Sequence, residues 1–152
     1  MNEKRSHGFT LVELMIVVAI IAILTSIAYP AYTSSILKGK RAEGRAALAE
    51  LLQQQERYMT QNNVYLTFTN TAGTTSPATV PFKTYSGDNP TKAAYYLKAS
   101  ACSVSIAISE CVMVEAVPVN SGSDLEYGTL QMLSTGTKTC TGTKNATSGC
   151  WK

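Results

Sequence analysis

The sequence is poor in the side chains on which most enzymes and metal sites depend. Its one histidine is His7, and it contains neither a nucleophile motif nor a glycine-rich phosphate-binding loop. The cysteines lack CxxC spacing, which argues against both a redox-active dithiol and a zinc site. Catalytic residues, a bound metal and a cofactor are therefore not expected.

Charged residues are also few and nearly balanced in sign. They make up 15% of the 152 residues, against 45% hydrophobic residues, and the formal net charge is +3. An excess of this size does not by itself indicate a nucleic-acid-binding protein. Hydrophobicity is uneven, because residues 14–24 form an unbroken apolar run while residues 60–89 are mostly small and polar. We expect one apolar segment followed by one small domain.

The four cysteines, Cys102, Cys111, Cys140 and Cys150, all lie in the last third of the chain. An even number of cysteines without metal-ligand spacing indicates an oxidising compartment and two disulfides. Four cysteines permit three connectivities. Sequential pairing, which joins the first to the second and the third to the fourth, closes the shortest loops and is the pairing that we expect.

The first 32 residues do not follow the order of an ordinary secretory signal. Such a signal has small residues after its apolar stretch, whereas here Gly8 precedes the stretch and no convincing A-x-A site follows it. A helix over residues 9–32 would be about long enough to cross a bilayer. Lys4 and Arg5 favour a cytoplasmic start, with the rest of the chain outside.

Glu13, the one charge in this apolar segment, is not explained by a plain membrane anchor. An ionised carboxylate near hydrocarbon costs several kcal/mol unless a partner neutralises it. Cleavage after Gly8 would free the amino group of Phe9, and opposite charges on neighbouring copies of the helix would then set the register of an assembly. The alternative is an unrelated signal-anchor helix with Glu13 at the membrane interface.

Residues 8–24, GFTLVELMIVVAIIAIL, resemble the prepilin signature of type IV pilins and their pseudopilin relatives. The resemblance implies that a prepilin peptidase removes residues 1–8 as a leader, cuts between Gly8 and Phe9, and methylates the new amino group of Phe9. It also gives Glu13 a role in assembly. The subunit would wait in the inner membrane with its head in the periplasm, until an inner-membrane assembly platform adds it to other pilin subunits in an extracellular pilus.

Residues 33–152 are expected to form a pilin head of the α+β class, with the hydrophobic half of the long helix projecting. An amphipathic helix over residues 33–61 would pack on the head, and Pro30 is expected to kink or locally melt the helix. Residues 42–65 resemble a tract that closes the long helix in many minor pilins. The helix also carries basic residues that we expect on a solvated face, with lipid headgroups or neighbouring subunits as alternatives: Lys38, Lys40, Arg41 and Arg45.

The rest of the head divides into three expected parts. Residues 62–92 correspond to the αβ loop of pilins, and residues 136–152 to their irregular, disulfide-bounded carboxy-terminal region. Between them, residues 93–135 are expected to form an antiparallel sheet of about four strands whose apolar face covers the helix. The strand-like patterns span residues 93–100, 103–109, 111–119 and 127–135.

The resemblance makes polymerisation the expected function and leaves the finer role open. The four-cysteine head and residues 56–65 favour a minor pilin over a major adhesion or motility pilin, and a secretion pseudopilin is disfavoured because it more often lacks the disulfide-bounded end. A competence pilin that binds DNA is a further alternative, with Lys138 and Lys144 as candidate phosphate contacts. Other lysines and aromatic residues could assist: Lys92, Lys98, Lys152, Tyr95, Tyr96 and Trp151. Because the lysines are scattered among acidic residues, solubility is their simpler interpretation.

Overall fold

One long helix, α1 (Leu11–Asn62), begins the computed structural model, which describes residues 9–120, 124–144 and 147–151. The chain divides into two structural units, Met1–Lys38 and Gly39–Lys152, and α1 contributes to both. The helix contains an apolar 18-residue window with a mean hydropathy of 2.7, none of which is buried within the chain. By length and composition, this is the one helix in the described ranges that could cross a membrane.

Pro30 lies inside α1, and the helical geometry continues on both sides of it. The local melting expected here is therefore absent from this conformation, whereas the kink stays a prediction. Hydroxyl groups in this segment donate to carbonyl oxygens three or four residues earlier, as Thr25 does to Ile21 at 2.8 Å and Thr33 to Pro30 at 3.0 Å. These bonds satisfy the hydroxyl groups without a solvent partner.

Within the second unit, one stripe of α1 forms part of the core. Ala47, Leu48 and Leu51 are buried, as the amphipathic period of this segment predicts. Gly44 lies on the same stripe, where an added Cβ would be 2.9 Å from the Tyr95 ring. Glycine at this position therefore allows the ring to pack directly against the helix backbone.

The connection after α1 contains two short strands that the sequence did not indicate. Strand β1 (Thr69–Thr71) pairs antiparallel with β2 (Thr74–Ser76) through a turn in which Gly73 has a φ of 86°. Positive φ costs glycine little, which suits it to this turn. Isolated bridges join Phe68 to Ala99 and Tyr85 to Tyr96, so the connection lies along the edge of the main sheet.

The main sheet has four antiparallel strands in the order of the chain: β3 (Tyr95–Ala101), β4 (Val112–Pro118), β5 (Leu130–Leu133) and β6 (Lys138–Cys140). Alternate residues of β3 and β4 are buried in one core with the apolar stripe of α1, while their neighbours on the opposite face are half-buried. This arrangement confirms the α+β class and the four-stranded antiparallel sheet.

One of the four expected strands is wrong. Residues 103–109 form turns between Cys102 and Cys111, whose Cα atoms are 5.5 Å apart across their disulfide. The disulfide closes a short loop, so the apolar alternation in these residues reflects no pairing with the sheet. The fourth strand is instead β6, which lies in the region that we expected to be irregular. The remaining three expected strands correspond to β3, β4 and β5.

The structure joins the cysteines in sequential order, which is the expected pairing. Besides the bond between Cys102 and Cys111, a second disulfide joins Cys140 of β6 to Cys150 of the short helix α2 (Thr147–Cys150). Cys140 and Cys150 are both buried in the core cluster. The second disulfide therefore fixes the end of the chain against the last strand of the sheet.

Candidate functional site

Two of the expected processing and assembly residues lie at the start of the described chain, Phe9 just before α1 and Glu13 in its first turn. Phe9 is 81% exposed, and Gly8 lies outside the described residues, as does the rest of the expected leader. The Glu13 carboxylate accepts hydrogen bonds from the N–H and the hydroxyl of Thr10, each at 3.2 Å, and the Glu13 N–H donates to the Thr10 hydroxyl at 3.2 Å. The T-x-x-E spacing of residues 10–13 is the sequence signal for this reciprocal capping box, which our expectations from the sequence did not include. In a single copy of the chain, the Glu13 carboxylate is therefore hydrogen-bonded within its own helix terminus.

The first unit also exposes many large apolar side chains around α1. A continuous apolar surface of this kind is unusual on a monomeric soluble protein and indicates contact with a membrane or with other chains. The exposed side chains include Leu11, Leu14, Ile16, Ile20, Ile23, Leu24 and Ile27.

In the second unit, the structure brings together Lys138 and Trp151, two of the predicted contact residues. The Lys138 Nζ atom is 5.4 Å from the centroid of the Trp151 ring. Trp151 is half-buried, and its Nε1–H donates to the carbonyl of Thr139 at 3.0 Å, which fixes the ring beside β6. Lys138 is exposed. The pair presents an ammonium group next to an oriented aromatic ring, an arrangement suited to phosphate contact and base stacking.

Lys144, the other candidate phosphate contact, has a different partner. Its Nζ atom forms an ion pair with the carboxylate of Glu126. The pairing with Lys144, followed by that with Arg41, lowers the pKa of Glu126, and the same carboxylate raises the pKa of Lys144. Nothing in the sequence distinguished the two lysines as phosphate contacts. In the structure their surroundings differ, because Lys138 faces an aromatic ring and Lys144 faces a carboxylate.

The other candidate contacts that the structure describes belong to other elements of the fold. Tyr95 is only 2% exposed and donates its hydroxyl hydrogen to Asp124 at 3.3 Å, so it is unavailable for stacking. Burial, followed by the Asp124 carboxylate, raises the pKa of Tyr95. Tyr96 and Lys98 lie on the half-buried face of β3, where Lys98 is opposite Glu115. Lys92 ends a short 3-10 helix, and Lys152 lies outside the described residues.

Arg41 corrects the expectation of a solvated basic face. Its side chain is only 9% exposed, and it donates to both carboxylate oxygens of Asp124 at 2.6 and 2.7 Å. It also donates to Glu126 at 2.9 Å, and its guanidinium lies 4.2 Å from the centroid of the Tyr127 ring. We call Arg41, Asp124, Glu126, Tyr95 and Tyr127 the Arg41 clasp. The clasp joins α1 to the segment before β5, and no local sequence signal connects residues so far apart.

Comparisons with known proteins agree with these features. Residues 30–124 match the family described as "Type IV minor pilin ComP, DNA uptake sequence receptor", and residues 4–29 match the "Prokaryotic N-terminal methylation motif". The type IV major pilin protein PilA of Myxococcus xanthus is 31% identical over 128 residues, which cover 83% of this chain and 53% of PilA. The type IV major fimbrial protein FimA of Dichelobacter nodosus is 50% identical over 61 residues, covering 36% of this chain and 38% of FimA.

The chain thus spans about half the length of PilA and a smaller share of FimA. A solved type IV pilin structure from Shewanella oneidensis has 17% sequence identity and a TM-score of 0.45, covering 75% of this chain and 96% of that one. The family match over residues 30–124 covers more than half of the 152 residues and directly follows the methylation motif. The chain belongs to the family of the type IV minor pilin ComP, DNA uptake sequence receptor.

Proposed function

We propose that this chain is a minor subunit of a type IV pilus and that its head binds DNA for uptake. The observation that carries the proposal is the match of residues 30–124 to a family described as a DNA uptake sequence receptor. The exposed Lys138 beside the fixed ring of Trp151 supports a DNA-binding role, because it combines a phosphate contact with an aromatic surface.

Assembly follows the course that the amino-terminal motif implies. A prepilin peptidase removes residues 1–8, and the new amino group of Phe9 is methylated. The apolar helix then holds the subunit in the inner membrane, with the disulfide-bonded head in the periplasm, until the assembly platform adds it to the pilus. On assembly, the Glu13 carboxylate exchanges its contacts with Thr10 for the amino group of a neighbouring subunit.

Processing and incorporation are tested by intact mass spectrometry, without reduction, of pili sheared from the native host. We expect a minor species that begins at methylated Phe9 and has all four cysteines oxidised, since two disulfides are formed in the head. A chain that retains residues 1–8 in cells and is absent from sheared pili would contradict the assembly proposal.

DNA binding is tested by replacing Lys138 with methionine in the full, disulfide-intact chain, purified in a neutral detergent. Loss of one phosphate contact should weaken binding to duplex DNA of any sequence and reduce the slope of log affinity against log salt by about 0.9. Fluorescence anisotropy with labelled duplex at several salt concentrations measures both quantities. Lys40→Met removes an equal charge from an exposed position on α1 and should leave the slope unchanged. Equal effects of the two variants would exclude a direct contact by Lys138.

A major pilin is the second candidate, because PilA and FimA are both described as major subunits. Such a subunit would form the body of a pilus used in adhesion or motility. The same mass spectrometry separates the two candidates, since a major pilin would be the dominant species in sheared pili.

A further inference from the structure

Residues 141–144 lie alongside the segment that precedes β5. Backbone N–H groups of Gly142, Thr143 and Lys144 donate to the carbonyl oxygens of Tyr127, Leu125 and Glu126 at 2.9, 3.1 and 2.7 Å. The contact is close enough that a Cβ added at Gly142 would lie 2.4 Å from the Glu126 carbonyl oxygen. The backbone therefore fixes Lys144 next to Glu126 before their side chains interact.

The Glu126 side chain joins two cations of different character. One carboxylate oxygen accepts from Arg41, which is buried and already bonded to Asp124, and the other accepts from Lys144. The Lys144 side chain is 64% exposed and that of Glu126 is 41% exposed. Because the buried Arg41 holds the Glu126 carboxylate from the protein interior, that carboxylate stays beside Lys144, and both groups face solvent.

We propose that Glu126 is a specificity-determining residue, whose carboxylate neutralises Lys144 and so weakens binding of the head to DNA of arbitrary sequence. This inference rests on the proposed DNA-binding function. Phosphate contacts supply most of the sequence-independent affinity of a protein for DNA, and a receptor for a particular sequence gains selectivity when that affinity is kept low. Exposed ion pairs contribute little to stability, so the main effect of this pair is to cancel a charge.

Both members of this ion pair are charged at neutral pH, because pairing lowers the pKa of Glu126 and raises that of Lys144. Lys144 and Arg41 both lower the pKa of Glu126, so its carboxylate is ionised throughout the neutral range. The charged groups that face this carboxylate in the described part of the chain are Arg41 from α1 and Lys144 from the segment after β6. Lys138, by contrast, faces the Trp151 ring and forms no salt bridge with any other residue that the structure describes.

The test replaces Glu126 with glutamine in the full chain, which removes the charge and leaves an amide oxygen to accept from Arg41. Binding to a random-sequence duplex should become tighter and more sensitive to salt. One added phosphate contact makes the advantage over wild type about threefold larger at 50 mM than at 200 mM salt. Glu110→Gln is the matched control, because it changes the net charge equally from an exposed position in the 102–111 disulfide loop.

Lys144→Met completes the experiment. We expect it to leave the salt slope of the wild-type chain unchanged, because a neutralised Lys144 makes no phosphate contact, and to abolish the gain produced by Glu126→Gln. A gain that survives in the double variant, or that equals the gain from Glu110→Gln, would overturn the proposal. If Glu126→Gln fails to fold, a salt slope lowered by about 0.9 on Lys144→Met in the wild-type chain would overturn it as well, because Lys144 would then already contact phosphate. Absence of DNA binding by the wild-type chain at 50 mM salt would instead contradict the proposed function itself.

Discussion

Replacing Arg41 with methionine is expected to lower the free energy of unfolding of the head by about 3–5 kcal/mol. The substitution leaves the Asp124 carboxylate, whose side chain is 1% exposed, without its counter-charge and without two hydrogen bonds. Among the residues that the structure describes, the remaining donors to the Asp124 carboxylate are the Tyr95 hydroxyl and the Tyr127 N–H, which are both uncharged. Denaturant unfolding of the full chain in detergent, followed by fluorescence of its one tryptophan, Trp151, measures the change.

Two further variants identify the cause of that loss. Arg57→Met removes an exposed arginine from the same helix and should change stability by less than about 0.5 kcal/mol. Arg41→Met combined with Asp124→Leu should recover much of the stability, because an apolar pair of similar volume often replaces a buried ion pair at little cost. A loss below about 1 kcal/mol for Arg41→Met alone would mean that water reaches Asp124 and that the clasp behaves as a surface ion pair.

The Arg41 clasp also shows where prediction from the sequence stops. The amphipathic period of α1 was legible because its determinants lie within a few residues of one another, and β3 and β4 have the alternation of strands that are buried on one face. Arg41 sits among other basic residues, which made a solvated face the natural expectation. Its partner Asp124 is 83 residues away and becomes a neighbour only when the loop before β5 folds against the helix.

The alternation of apolar residues gave a wrong strand prediction inside a disulfide loop. Residues 103–109 alternate like a strand, but the disulfide that encloses them holds them in turns. The reverse happened at β6, where a segment rich in turn formers is a strand because β5 supplies its hydrogen-bonding partners. Strand formation depends on a partner as much as on the pattern of the strand itself.

The functional residues also divide into those indicated by a contiguous motif and those that depend on contacts between distant segments. The amino-terminal signature is contiguous, so the sequence alone indicated the roles of Gly8, Phe9 and Glu13, which stay predictions. The head surface depends on pairings between separate segments. Lys138 and Lys144 were equivalent candidates until the structure placed one on an aromatic ring and the other on a carboxylate. Charge alone therefore could not rank them as contacts for DNA.

Removing the second disulfide, with Cys140→Ala and Cys150→Ala together, is expected to cost about 2–5 kcal/mol of stability and to weaken DNA binding. Both effects arise because the bond holds α2 on β6, and Trp151 directly follows Cys150. Without that attachment, the indole ring loses its fixed position beside Lys138. Denaturant unfolding and anisotropy titrations on the same preparations measure the two effects.

Cys102→Ala with Cys111→Ala is the matched control, since the two disulfides have sequence separations of 9 and 10 residues. Loops of such similar length should give similar entropic stabilisation, so both double variants should lose comparable stability. Only loss of the second disulfide should weaken DNA binding under conditions where both heads stay folded, because the first lies at the β3–β4 turn, away from Trp151 in the order of the sheet. An equal loss of DNA affinity in both double variants would show that binding depends on overall stability. It would contradict the assignment of the Lys138–Trp151 pair as the contact surface.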